Sequence, residues 1–180
     1  MIGAHYLEDA RRQFGKLKTQ GERAMAQVAD ADFFRTPDPE SNSIAIIVKH
    51  VAGNMRSRWT SFLNSDGEKP DRNRDGEFVV EAGDTRQTIM ERWETGWKLL
   101  FDALAGLTPE RLEDTVRVRG EEHSALEALN RQMTHYAAHV GQIVYLAKHW
   151  AGRQWGTLSI PRGKSREFDV AKDGTRYHVG

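Results

Sequence analysis

Apolar residues recur at spacings of three, four and seven over four stretches of the chain, the mark of helices with one buried face. The first stretch runs from about Ala4 to Ala29 and places Leu7, Phe14, Leu17, Ala24 and Val28 along one side. The second, from about Ser43 to Asn64, carries the stripe Ile44, Ile47, Val48, Val51, Met55, Trp59 and Phe62. The third opens at Asp84, whose spacing to Gln87 predicts a capping box, and passes Ile89, Trp93, Leu100 and Leu104 to end near Ala105. Trp97 falls on the shoulder of that stripe. The fourth is the most regular: Ser124 and Glu127 form a second capping box, and Leu129, Met133, Tyr136, Val140, Ile143 and Ala147 lead to a stop at Gly152.

The intervening segments have different chemistry. DADFFRTPDPESN holds two prolines and reads as a loop that caps the second helix. Ser65 to Gly83 is polar, rich in Gly, Asp and Arg, and longer than most connections, which predicts a functional or disordered loop. DTVRVRGEEH alternates Val116 and Val118 with Arg117 and Arg119, as a short extended ribbon does. The final segment, from Arg153 onward, lacks helical periodicity and is expected to wrap over the helices or trail from them. The pattern as a whole predicts an all-α chain: a single four-helix-bundle domain over residues 1–180, with a long connection between helices two and three and an irregular tail from about residue 152.

Composition narrows the function. The chain has 26 basic and 26 acidic side chains and no long run of either sign, so nucleic acid and anionic membranes are not expected partners. No stretch approaches the roughly 18 apolar residues of a membrane span, and the first residues lack the apolar core of a signal peptide. A cytoplasmic protein is expected. Cysteine is absent, which removes disulfides, thiolate nucleophiles and thiolate metal ligands. Any metal would have to be held by nitrogen or oxygen.

The residues that carry chemistry are histidines. THYAAHVGQI sets His135 and His139 one turn apart on the fourth helix, beside its apolar stripe. His50 lies about 60° from Ile47, off the edge of the second helix's stripe, with Asn54 one turn later. Helices paired along these shoulders would bring three imidazoles together, the ligand count of an open catalytic zinc site. On the residues alone, an i, i+4 pair is equally a feature of a wet helix surface. Asn54 and Gln142 are candidates to hold the imidazoles from behind, or ordinary polar contacts. Arg72 and Arg74, near Asp75 and Glu77, are candidates for a loop that binds an anionic substrate, or for a solvated loop with internal ion pairs. Trp59, Trp93 and Trp97 read as core or interface residues, and His5, His123, His149 and His178 as surface or capping residues.

KHVAGN around His50 and HYAAHVGQI around His135 and His139 resemble the DinB-like (DinB/YfiT) superfamily of small bacterial four-helix-bundle proteins. PESNSI, GNMRSRW, GEKPDRNRDGEF, HVGQIVYLAKHW and LSIPRGKS are similar to segments of one subgroup of uncharacterised proteins, and they span residues 39 to 165. The resemblance implies a divalent metal on His50, His135 and His139, with zinc or nickel the leading candidates and iron or manganese also admissible. It implies a metal-dependent transferase or hydrolase, with a low-molecular-weight thiol as cosubstrate, since the chain has no thiol of its own. The alternative is a non-catalytic metal-binding or stress-associated protein whose ion is structural. A homodimer is expected, with tryptophan-bearing helix shoulders as its interface.

Overall fold

The ends of the helices are set by local chemistry rather than by where the apolar pattern fades. In the computed structural model, which describes residues 2–166, the chain is mostly helical. Its α-helices are α1 (Ile2–Met25), α2 (Asp30–Phe34), α3 (Ile44–Trp59), α4 (Arg86–Ala105) and α5 (Ala125–Ala151). The first stretch stops four residues short of its expected end, because Ala29 is extended and starts the short α2 inside the segment read as loop. Ser43 caps α3 by accepting from the Ile46 amide. That helix ends at Trp59 rather than Asn64, since Thr60 is extended and Ser61 takes the left-handed conformation, with φ of 51°. Phe62 therefore continues the apolar pattern without continuing the helix.

The expected cap at Asp84 is corrected by one residue. Thr85 and Thr88 form the capping box of α4, and the Asp84 carboxylate is instead buried against the Lys49 ammonium at 2.5 Å. At α5 the box of Ser124 and Glu127 is present as expected. The ribbon is a two-stranded antiparallel sheet, β1 (Thr115–Val118) and β2 (Glu121–Ser124). Arg119 and Gly120 turn between them with φ of 57° and 78°, and Asp66 accepts from both of their amides.

The four long helices share one core, in which α3 packs on α4 and on α5, and α1 packs on α5 and α4. At its centre Phe14, Trp59, Trp97 and Tyr136 meet edge to face or tilted, a geometry that aligns ring edges with ring faces. Trp97 is fully buried against Trp93 rather than on a shoulder. With Trp59, Trp93 and Trp97 all in the core, none of them is available to a dimer interface. Past α5, Leu158 is buried and the Gly156 amide reaches Gln27, so the tail lies over the helices as far as Leu158, while residues 161–166 are exposed. Its remainder lies outside the described residues.

The long connection between α3 and α4 is held against α3 at three heights. Arg58 and Ser57 both donate to the Gly67 carbonyl, Glu77 meets His50, and Lys49 bonds the Val79 carbonyl as well as Asp84. Each contact removes buried backbone or charge from the unpaired state that would otherwise oppose folding. A 3-10 turn over Asp75–Phe78 delivers Glu77 inward.

Candidate metal centre

His50 is carried by α3 and is buried; His135 and His139 are carried by α5 and are half-buried. The packing of α3 on α5 turns all three rings toward one point. His50 Nε2 lies 3.4 Å from His135 Nε2, which lies 3.0 Å from His139 Nε2. One ligand atom from each ring falls within 4.8 Å of the others, so the group could hold a metal ion.

The partners behind two of the rings determine which nitrogens are bare. A carboxylate only accepts, so the contact of His50 Nδ1 with Glu77 Oε2 at 2.9 Å puts the ring proton on Nδ1 and leaves a lone pair on Nε2. His139 Nδ1 likewise sits 2.9 Å from Gln142 Oε1, which accepts from it. Glu77 is itself held by Arg72, whose Nε and Nη2 donate to its two oxygens at 2.8 and 2.9 Å. This carboxylate reaches over α3 only because residue 53 is glycine. A Cβ there would stand 2.3 Å from Glu77 Oε1, far inside contact distance.

His135 has no partner at Nδ1: with its proton on Nε2 it can donate to His139 Nε2, and with its proton on Nδ1 all three Nε2 atoms carry lone pairs that a cation between them would bind. In a tetrahedral zinc site with Zn–N near 2.1 Å, ligand nitrogens stand about 3.4 Å apart, close to the two separations found here. Electrostatics favours the neutral, metal-competent form. Burial pushes His135 down to about 4, and repulsion from His139 and His50 acts in the same direction. Burial also lowers His139, against the opposing hydrogen bond to Gln142. Burial alone would raise the Glu77 carboxyl, but the hydrogen bonds from His50 and Arg72 outweigh it and hold Glu77 below the usual range. An ionised Glu77 behind His50 makes that imidazole a better electron donor.

Asn54 does not turn to an imidazole in this arrangement. Its Oδ1 accepts from the Tyr136 hydroxyl at 2.9 Å, and that hydroxyl accepts from Trp59 Nε1 at 3.0 Å, which ties α3 to α5 beneath the site. Arg72 is buried between Glu77 and Glu68, while Arg74 is exposed and stacks on Phe78. His5 is exposed, His123 meets Arg131, His149 packs on Trp150, and His178 lies outside the described residues. Glu77, the partner of His50, is the contributor that periodicity does not reveal. A cavity of about 200 Å³ borders His50 and His135.

Fold and site together define a mostly helical protein with a three-imidazole cluster able to hold a metal ion. Among the described residues no helix is long and apolar enough to cross a membrane. The chain belongs to the family described as Protein of unknown function (DUF1572), which it matches over residues 1–164. No curated protein matches it.

Proposed function

We propose that the protein is a DinB-like four-helix bundle that binds a divalent metal, zinc or nickel first, through His50, His135 and His139, and acts as a metal-dependent transferase or hydrolase. The observation that carries this reading is the convergence of three Nε2 atoms from two helices at separations of 3.0 and 3.4 Å. Such an ion acts as a Lewis acid, lowering the pKa of a coordinated water or thiol toward neutrality. The chain's own part is to fix the ligands: Glu77 and Gln142 hold the Nδ1 protons of His50 and His139, and Arg72 holds Glu77. The cavity bordering His50 and His135 gives a substrate access to the imidazoles, as an open catalytic site requires and a closed structural one does not. A thiol nucleophile would arrive as a low-molecular-weight cosubstrate.

Elemental analysis of protein purified without an affinity tag, beside His135→Ala and His139→Ala variants, tests the site. Near-stoichiometric metal in the parent and its loss in both variants are expected; equal metal content in all three refutes the triad. A structural ion is separated from a catalytic one by stripping and restoring it. If stripping lowers only the melting temperature, and the restored protein binds no thiol or electrophile, the enzyme reading fails.

A further inference from the structure

The cavity beside the triad is walled mainly by arginine, although the chain as a whole is neutral. Arg58 comes from α3, Arg72 and Arg74 from the long connection, Arg119 from the β1–β2 turn and Arg131 from α5. Three carboxylates pair with these five guanidinium groups. Glu68 meets Arg58, Arg72 and Arg119; Glu77 meets Arg72; Glu121 stands 4.0 Å from Arg131. Two positive charges are left over, and Arg74 has no carboxylate partner among the described residues.

Buried polar atoms in the same wall also lack partners. Arg58 Nε is a buried donor with no acceptor, and Gln132, only 4% exposed, leaves its side-chain oxygen without a donor. His135 Nδ1 is a third, and it carries the proton if Nε2 faces a metal. A buried polar atom left bare opposes folding, and three of them belong to residues that line this one cavity. Arg119 adds to this. It occupies a left-handed turn position where asparagine or glycine is favoured, and Asp66 fixes the turn that carries it.

We infer that this cavity takes the phosphate group of a small organic phosphate monoester. The inference rests on the metal-site reading, because it makes the monoester the substrate whose reacting part faces the imidazoles. The excess positive charge of the wall, to which a divalent ion on the imidazoles would add, favours an anion of high charge. Donors that approach from four separate segments suit a tetrahedral group with several oxygens, where one bidentate arginine would suffice for a planar carboxylate. At about 200 Å³ the space accommodates a phosphate and a few further heavy atoms, not a nucleotide or a nucleic acid strand.

Calorimetric titration of the zinc-loaded protein with glycerol phosphate, inorganic phosphate and malonate tests the inference. Arg74→Gln and Arg131→Gln serve as variants; both side chains are exposed, so both should fold. Arg56→Gln, exposed and outside this cavity, is the control. The expected result is saturable 1:1 binding of glycerol phosphate at least as tight as that of inorganic phosphate. Affinity should fall about tenfold in each cavity variant and stay unchanged in the control, with equal zinc content throughout. No saturable binding at millimolar glycerol phosphate, affinity unaffected by the cavity variants, tighter binding of inorganic phosphate, or tighter binding of malonate would each overturn it. If the parent protein binds no zinc yet takes up glycerol phosphate with the same dependence on Arg74 and Arg131, the cavity assignment holds and the metal reading alone fails.

Discussion

Replacing Glu77 by glutamine keeps the shape of the side chain and removes its charge. Three hydrogen bonds end on that carboxylate, one from His50 and two from Arg72. An amide offers one accepting oxygen and an NH2 in place of the other, so at least one donor is left facing a donor. Breaking a buried ion pair from one side costs about 3–5 kcal/mol. Arg72 retains Glu68 at 3.3 Å, which sets the expected loss at the low end, about 3 kcal/mol. For a chain of this length that corresponds to a fall of roughly 6–12 °C in melting temperature. The effect on the metal is separate: removing the acceptor behind a ligand imidazole weakens metal binding by about 10–100-fold. Thermal unfolding in chelator measures the first quantity, and competition against a chromophoric zinc chelator measures the second. A Glu77→Gln protein that melts lower as expected, yet holds zinc within about threefold of the parent, would refute the claim that Glu77 acts through His50.

Gly53→Ala should raise helix propensity in α3 by about 1 kcal/mol yet weaken zinc binding at least about tenfold, because the new methyl displaces Glu77; unchanged affinity in the same competition assay would show that the close approach is not needed. The folded pKa of His135 is about 4, below the roughly 6.5 of an unfolded histidine, so the unfolded chain takes up more protons between those values. Stability of the metal-free protein is therefore full above about pH 6.5 and declines as the pH falls toward 4; urea midpoints across that window should slope less in His135→Leu, and identical slopes would contradict the burial argument. Tyr136→Phe strands Trp59 Nε1 and Asn54 Oδ1, at a cost of about 2 kcal/mol, and should lower the melting temperature by roughly 4–8 °C with metal content unchanged.

What the sequence disclosed followed the range of the interactions involved. Helical periodicity located α1, α3, α4 and α5, because burial of one face repeats every turn and leaves its trace along the chain. It misplaced the end of α3, since Phe62 keeps the period while Ser61 breaks the backbone. The Ser124 box was readable because its partners are three residues apart, whereas Asp84 imitated the same pattern while serving Lys49 across the fold. His135 and His139 declared themselves by one turn of spacing. Glu77 did not: its link to His50 spans 27 residues and passes through a loop with no period to follow. Arg58, Arg119 and Arg131 were hidden for the same reason, as a helix, a strand turn and a second helix supply one wall without a shared period.

The aromatic cluster beneath the imidazoles gives the protein a built-in optical reporter. Tyr136 follows His135 in the chain, accepts the indole proton of Trp59, and packs with its ring 6.0 Å from that of Trp97. Light absorbed in the core is thus emitted from indoles that the Tyr136 ring separates from the His135 imidazole. An ion with a partly filled d shell, such as nickel, quenches excited states at such range, while zinc with its filled shell leaves them bright. The brightness of the native protein, compared before and after chelation, would therefore distinguish nickel from zinc at the proposed site without any added dye.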